Sequence, residues 1–339
     1  ATTEIYTLSL HDALPISGIK LSMPVYNAML YTQQGVMKLL SEIETLKYDK
    51  ACEDLTVQIA RLYYQGQVCM RQIELIDENL TRMNALHEIA KAYYDNQMSL
   101  EIDMQRVDLN IESLRVQHDI AQNQLQNTLA MLRYVIAESE EISLVPIKED
   151  AGKIDAPSAG LSTSLPETQL LEERIKVSEQ QQKLIKQGYL PSVSLTGTLS
   201  GSAYAPKPGD WFKDTEFNKI WGMYGVGLQV QVPIWDSFRK KYKLQQARIE
   251  GDNARQMLED TQAQLQTSYL NAQRDFLNSQ RTLKRQLDNK KLAESVYEVT
   301  ATRYKEGMSS MTDVLLDEMR ISEAQSALLT AYYNLKVAD

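Results

Sequence analysis

The sequence predicts a mainly α-helical protein with a small β part, built from two tandem repeats that each join a strand to a long helical hairpin. Three observations support this fold class. Glycine and proline are scarce, at 14 and 9 residues in a chain of 339, which favours long uninterrupted helices. Apolar residues recur with heptad spacing over much of the first third of the chain. Near residue 190 the hydrophobic period changes from helical to alternating.

Composition excludes several classes of protein. The net charge of −9 argues against a nucleic-acid binder that relies on a basic face, so no nucleic-acid partner is expected. The two cysteines are too few for a disulfide scaffold. No run of 18 apolar residues is present, so no transmembrane helix is expected.

The first seventeen residues are treated separately. Residues 6–16 (YTLSLHDALPI) look like the translation of a common sequencing-adapter oligonucleotide. We therefore interpret residues 1–17 as a non-native artefact and leave His11 and Asp12 out of the functional argument. The segment also lacks the basic and apolar regions of a secretory signal.

A long helical hairpin is predicted in the first repeat, residues 18–138. From Tyr48 to Ala90, eleven of thirteen positions with alternating steps of four and three are apolar. This pattern predicts a helix over about 28–93 and a returning helix over about 100–137, joined by a turn at 95–98. At about 1.5 Å per residue, the first helix is roughly 100 Å long.

Two uncharged segments alternate with the period of a strand, at about 192–203 and 224–234. A shorter segment at 19–25 alternates in the same manner and includes Lys20. A length of about eleven residues is what a tilted transmembrane β-strand requires. Tryptophan falls within this part of the chain, as an interfacial aromatic girdle predicts, at Trp211, Trp221 and Trp235. The alternative is the edge of a soluble β-sandwich with one buried face.

An internal duplication organises the chain. Residues 21–27 align with 230–236 at an offset of 209, and residues 94–99 align with 304–309 at an offset of 210. The second repeat spans 167–339. It begins with a helix over about 167–187 and continues with two strands and helices over about 237–304 and from Met311 onward. Residues 139–166, rich in proline and glycine, form an irregular linker.

A chain with three or four strands of membrane length cannot close its own barrel, and lipid does not tolerate open sheet edges. We therefore expect several copies to share one barrel, with eight strands in a dimer or twelve in a trimer. The helices would continue this barrel as a tube of coiled coils.

Three motifs resemble those of the TolC family of outer-membrane efflux proteins: Gly188–Pro191 entering a strand, the corner Val232–Asp236, and the hairpin tip over Tyr304–Leu315. The resemblance extends from about Gly18 to Asp339. It implies a homotrimer in which an α-helical barrel continues a shared twelve-stranded transmembrane β-barrel. It also implies location in the outer membrane of a Gram-negative bacterium, contact with its lipid, and extension into the periplasm. Compared with the family pattern, the chain is expected to be truncated at both ends.

The function expected from this resemblance is a passive exit duct for drugs, metabolites or secreted polypeptides, as in multidrug resistance or type I secretion. The hairpin tips would dock a periplasmic adaptor protein that is fed by an inner-membrane pump. No enzymatic activity and no cofactor are expected, because no catalytic set or phosphate loop is recognised. The alternatives are a periplasmic adaptor, which usually has one hairpin, and a structural coiled-coil protein.

Candidate pore-constriction residues lie at the hairpin turns. Asp313 is the first choice, because three copies would form an acidic ring that favours cations. The resemblance adds Tyr304, and the duplication adds Asp103. The family's arginine position holds Ser309 and its second acidic position holds Leu316, beside Asp317, so Arg303 or Arg320 is considered as a substitute. The alternative for Asp313 is a helix cap.

On the strands, polar residues are expected to face the lumen and apolar residues the lipid, since the reverse would place glutamine in hydrocarbon. The lumen-facing residues are Ser192, Ser194, Thr196, Thr198, Gln229 and Gln231. The lipid-facing residues are Val193, Leu195, Val226, Leu228 and Val230.

No metal site is predicted. Cys52 and Cys69 both occupy heptad positions and are read as small core residues. His87 also lies on the heptad, and His118 stands alone, without metal-ligand spacing to other donors.

Overall fold

The computed structural model describes residues 2–5, 16–140, 142–147, 165–204 and 219–338. The elements in chain order are β1 (Thr2–Ile5), β2 (Ile16–Tyr26), α1 (Ala28–Asp95), α2 (Glu101–Ile136), α3 (Pro166–Gln187), β3 (Ser192–Tyr204), β4 (Lys219–Gln231), α4 (Arg239–Lys305) and α5 (Met311–Ala338). Most of the predicted linker and Trp211 lie outside the described residues.

The predicted helices are confirmed, with ends that differ by a residue or two. The strands differ more. β4 ends at Gln231 rather than continuing to 234, because Pro233 has no N–H to donate to a ladder. β1 and the start of β2 fall in residues 1–17, where no strand was predicted. Over the described residues, no helix combines the length and apolar character needed to cross a membrane.

Two compact units combine parts of both predicted repeats. The first unit contains Ala1–Tyr48 and Ser164–Gln262, and the second contains Asp49–Thr163 and Ala263–Asp339. All four described strands therefore belong to the first unit, and both hairpin turns belong to the second.

The first unit holds an antiparallel sheet with the order β1-β2-β3-β4. Beside it, Val177 of α3 packs against Val36 and Ile43 of α1. The Ser178 hydroxyl of α3 donates a hydrogen bond to the Ala247 carbonyl of α4 at 2.9 Å. A Cβ atom on Gly251 would lie 2.8 Å from Ser178 Oγ, so glycine permits this close approach.

The second unit contains the largest apolar core, in which four helices meet. Fully buried residues come from α1 (Met83, Ala90), α2 (Val107) and α5 (Val314). Tyr304 of α4 is buried in the same cluster. Alternation of steps of four and three places these side chains on one stripe of each helix.

The prediction that both cysteines are core residues is half wrong. Cys69 is buried, whereas Cys52 is exposed. Its neighbours on the α1 stripe, Tyr48 and Leu55, are exposed as well. Apolar spacing identifies the stripe, but burial requires a packing partner, and no described segment of this chain covers α1 there.

Candidate functional site

The sheet sorts its side chains into a polar face and an apolar face. In the register between β3 and β4, Ser192 pairs with Gln231 and Ser194 with Gln229. Side chains directly opposite each other in a sheet lie on the same face. Four of the six predicted lumen residues therefore pair with one another in two rows. The other two, Thr196 and Thr198, follow Ser194 on the same face of β3, opposite Gly227 and Gly225.

β2 continues the same partition. Its polar residues Lys20 and Ser22 pair with Thr198 and Thr196, and its apolar residues Leu21 and Met23 pair with Gly197 and Leu195. All six predicted lumen residues thus share one face with the polar residues of β2. The sequence alternation predicts this partition strand by strand, and the register aligns it across the sheet.

Glycines opposite threonines keep the polar face close to the backbone. Thr196 Oγ1 donates to the Gly227 carbonyl at 3.2 Å, and Thr198 Oγ1 reaches the Gly225 carbonyl at 3.5 Å. A Cβ atom on Gly225 would lie 3.2 Å from Thr198 Oγ1, which is tighter than an ordinary contact. Glycine at 225 therefore makes room for the Thr198 hydroxyl on this face.

The opposite face of β4 is apolar and unusually exposed. Val226, Leu228 and Val230 lie in successive rows of this face, and 81% of the Val226 surface is accessible. A water-soluble sheet buries such a face, so its exposure indicates an apolar environment around the sheet.

The two hairpin turns of the second unit have the same backbone geometry, 210 residues apart. Met98 N–H donates to the Tyr93 carbonyl and Met308 N–H donates to the Arg303 carbonyl, each at 2.8 Å. Gln97 (φ 61°) and Gly307 (φ 74°) hold the left-handed position that ends each helix. The turns support the duplication predicted from the sequence.

The strand-to-helix corners of the first unit also correspond. Asn27 accepts the Met29 N–H at 3.0 Å through Oδ1, and Asp236 accepts the Lys240 N–H at 3.1 Å through Oδ2. Each residue follows the aligned proline motif and satisfies an N–H group at a helix start.

Asp313 forms a capping box with Ser310. Its Oδ2 atom accepts hydrogen bonds from the Ser310 N–H at 3.0 Å and from the Ser310 hydroxyl at 2.6 Å, while Asp313 N–H donates to Ser310 Oγ at 3.2 Å. The Ser310 hydrogen bonds lower the pKa of the Asp313 carboxyl. Asp313 is exposed, so it keeps its charge at the turn while capping α5.

Asp103 has different partners from Asp313, because Leu100 occupies the position equivalent to Ser310 and provides no side-chain cap. The Arg106 guanidinium lies 3.5 Å from Asp103 Oδ1 and donates to Thr312 Oγ1 at 3.1 Å. Arg106 therefore joins the first turn to the start of α5. Arg106 is not among the residues predicted from the sequence, although its position three residues after Asp103 places both on one helix face.

Tyr304 is buried beside Tyr93, with ring centroids 5.6 Å apart. The Tyr304 hydroxyl has no hydrogen-bond partner within the described part of the chain. Burial raises its pKa, and the nearby Asp103 carboxylate adds to the shift. The Tyr93 hydroxyl donates to the Lys305 carbonyl at 2.7 Å, so this aromatic pair links the ends of α1 and α4.

The arginines considered as substitutes have other positions. Arg320 Nη1 lies 3.2 Å from Asp317 Oδ1 on its own helix. Arg303 contributes its backbone carbonyl to the second turn. Among the described residues, Arg106 is the arginine that contacts a candidate constriction residue.

A buried polar network lies farther along the same helices. Arg82 of α1 donates to both oxygens of Glu318 of α5, at 3.3 and 3.1 Å, and also to Asn79. Asn79 in turn donates to Gln325 at 3.1 Å. Burial raises the pKa of Glu318, an effect that Arg82 opposes. Its partners are far apart in the chain, so no local sequence pattern indicates this network.

Two of the three histidines bridge α1 and α2. His87 Nε2 lies 3.1 Å from Asp108 Oδ1, and His118 Nε2 lies 3.5 Å from Asp77 Oδ1. Within the described residues, no group of three or more His, Cys, Asp or Glu side chains is arranged to hold a metal ion.

Solved structures with the same fold include outer-membrane channels. The Campylobacter jejuni CmeC outer membrane channel has a TM-score of 0.75 at 16% identity, covering 95% of this chain and 69% of that one. The outer membrane protein VceC of Vibrio cholerae has a TM-score of 0.69 at 15% identity, covering 99% and 84%. The Neisseria gonorrhoeae MtrE outer membrane channel has a TM-score of 0.73 at 16% identity, covering 100% and 77%. No curated protein sequence matches the chain significantly.

The fold and the two-faced sheet thus define a channel-type protein with long helical hairpins. Residues 166–339 match the family described as "Outer membrane efflux protein", and the chain belongs to that family. It is therefore an outer-membrane efflux duct, as the sequence predicted. A periplasmic adaptor and a structural coiled-coil protein are not favoured.

The Asp313 cap makes a pH-dependent contribution to stability. Because the folded state lowers the carboxyl pKa below its usual 3.8, the contribution is complete above that pH and is lost as the pH falls through the folded value. We expect Asp313→Asn to lower the urea midpoint of the detergent-solubilised protein at neutral pH. The difference from the unaltered protein should shrink in acid, as measured by circular dichroism.

Glu306→Gln is the matched control, since Glu306 is an exposed acid at the same turn. It should leave the midpoint unchanged. Ser310→Ala removes the other half of the cap and should cost about 0.5–2 kcal/mol. An Asp313→Asn difference that persists undiminished below the folded pKa would contradict the capping role.

Proposed function

We propose that this duct is a homotrimer in which three copies close a shared transmembrane β-barrel and a helical tube. The observation that carries the proposal is the sheet of the first unit. β4 pairs only with β3 among the described strands, so its other edge carries unpaired backbone groups. Lipid cannot satisfy those groups, whereas a strand from another copy can. The family resemblance implies twelve strands, which is four from each of three copies.

The polar face of the sheet then lines the lumen and the apolar face contacts lipid. Hydroxyl and amide groups of β3 and β4 would lose hydrogen bonds in hydrocarbon, at several kcal/mol for each unsatisfied group. On the lumen side, water satisfies them. The exposed residues Val226, Leu228 and Val230 of β4 are solvated by the lipid, which is apolar as they are.

The hairpin turns form the periplasmic constriction in this proposal. Asp313, Tyr304 and Asp103 belong to the second unit, where Asp103 lies close enough to Tyr304 to raise its pKa. Three copies of Asp313 would place three carboxylates around the axis. Arg106, held by Asp103 and Thr312, supplies the cation that Ser309 does not.

The same turns carry exposed apolar side chains that suit a protein partner. Met98, Leu100 and Met308 are each more than two-thirds exposed. Apolar tips in water favour burial against another surface. We assign them to a periplasmic adaptor, itself fed by an inner-membrane pump that supplies the driving force. The cargo is then an effluxed compound or a secreted polypeptide that the pump selects.

The assembly is tested by measuring the mass of the complex and its conductance. The protein extracted in detergent should have the mass of three chains, and in planar bilayers it should conduct ions. A monomer that remains in the aqueous fraction and gives no conductance would contradict the duct.

The constriction is tested by ion selectivity. Asp313→Asn removes the proposed ring of charge and should shift the reversal potential in a salt gradient toward lower cation preference. Ser310→Ala is the matched control, because it weakens the same cap but keeps the carboxylate. Equal reversal potentials for Asp313→Asn and the unaltered channel would remove Asp313 from the constriction.

A further inference from the structure

The corner between β4 and α4 carries a group of exposed aromatic and basic side chains. We call it the corner patch, and it consists of Trp235, Phe238, Arg239, Lys241, Tyr242 and Lys243. The Trp235 and Phe238 rings are packed edge to face, with centroids 5.2 Å apart. The Lys241 ammonium lies 5.8 Å from the Phe238 ring centroid. Aromatic and cationic groups thus form one surface.

The basic residues are at the end of α4 where a helix dipole disfavours them. Arg239, Lys240 and Lys241 are its first three residues, and the first turn contains no acid. The N-terminus of a helix carries partial positive charge, so cations there repel the dipole and each other. An anion placed at this corner would relieve both repulsions.

The chain itself supplies little of that negative charge. Asp236 lies 3.8 Å from the Lys240 ammonium, which also stacks on the Tyr189 ring at 4.8 Å. Arg239, Lys241 and Lys243 form no ion pair with any described residue. Three cations therefore remain uncompensated in a chain whose net charge is −9.

The end of α3 adds positive charge beside the patch. α3 runs antiparallel to α4, because Ser178 contacts the Ala247 carbonyl while Tyr189 lies under Lys240. The last turns of α3 therefore lie beside the first turns of α4. Lys183 and Lys186 are exposed there.

The patch is continuous with the apolar face of the sheet. β4 ends at Gln231, and Ile234, which is 91% exposed, leads into Trp235. Tryptophan and tyrosine partition to the membrane–water interface, and lysine or arginine there attracts anionic headgroups. A strand that leaves the bilayer at this corner places these residues at headgroup depth.

We propose that the corner patch binds anionic phospholipid of the periplasm-facing leaflet. Arg239 and Lys243, four residues apart on one side of α4, are at a headgroup phosphate, Lys241 lies beside Phe238 on another side of the helix, and Trp235 is at the interface. The inference rests on the proposed insertion of the strands into the membrane. It assigns the lipid as an anionic phospholipid, because an exposed apolar and aromatic surface adjoins the charge.

The test uses fluorescence of Trp235 in the full chain, reconstituted after Trp211→Phe and Trp221→Phe. Vesicles contain phosphatidylethanolamine with a small fraction of brominated phosphatidylglycerol or of brominated phosphatidylethanolamine. Bromine quenches tryptophan within contact range, so quenching reports which lipid lies beside Trp235. We expect stronger quenching by the brominated phosphatidylglycerol, weakening as salt is added.

Removal of the three cations, with Arg239→Gln, Lys241→Gln and Lys243→Gln together, should reduce that preference by about a hundredfold, since each cation near an anionic surface contributes about a fivefold preference and the three factors multiply. The matched control is Arg281→Gln, Lys284→Gln and Arg285→Gln, which removes three exposed charges from the same helix in the second unit. The control should keep the preference. The charge-conserving variant Arg239→Lys, Lys241→Arg, Lys243→Arg should also keep the preference for phosphatidylglycerol, which would show that positive charge is the requirement.

Equal quenching by the two brominated lipids overturns the proposal. A preference for phosphatidylglycerol that survives removal of the three patch cations overturns it too. So does loss of that preference in the control variant at residues 281, 284 and 285. Absence of quenching by either lipid also overturns it and indicates that a second copy covers the patch. Conductance of the same preparation separates these results from failure of the duct, because a channel that conducts without lipid preference contradicts only the patch.

Discussion

Because side chains alternate across a strand, the pairing of Ser194 with Gln229 determines the face on which every other residue of β3 and β4 lies. A slip of one residue would set threonine opposite valine and would remove the glycines that receive the Thr196 and Thr198 hydroxyls. The register therefore creates the polar face and the exposed apolar face together. A sheet of this kind has a stable environment only where water and hydrocarbon lie on opposite sides.

The helices depend on local devices that occur in both repeats. Asn27 and Asp236 begin the long helices after equivalent prolines, and Gln97 and Gly307 end them in the same left-handed conformation. The two turns differ in the partner of their acidic residue. Serine at 310 holds the Asp313 carboxylate, whereas leucine at 100 leaves Asp103 to pair with Arg106. A duplicated scaffold thus presents two chemically different turns.

Features with a short sequence period were predictable. The helices, the turns and the two-faced strands follow from apolar spacing and from the duplication, because backbone geometry converts such spacing directly into faces. The capping alternative for Asp313 was also visible, since serine three residues before an acid is a local pattern.

Features that depend on packing between distant segments were not predictable. Cys52 has the same heptad spacing as Cys69, yet only Cys69 is covered by other helices. The contacts of Arg106 with Thr312 and of Arg82 with Glu318 join residues more than 200 positions apart, and neither pair has a distinctive local sequence. The predicted strand continued to 234, past Pro233, whereas the β4 ladder ends at Gln231 because proline has no N–H to donate.

The central claim, that the two faces of the sheet lie between water and lipid, is tested most directly by spin labels at consecutive positions of β3 in reconstituted bilayers. Relaxation by a water-soluble nickel chelate should peak at Ser194, Thr196 and Thr198. Relaxation by oxygen, which concentrates in lipid, should peak at Val193, Leu195 and Gly197. The two profiles should alternate with a period of two residues and in opposite phase. Profiles that peak at the same positions, or that do not alternate, would contradict the account.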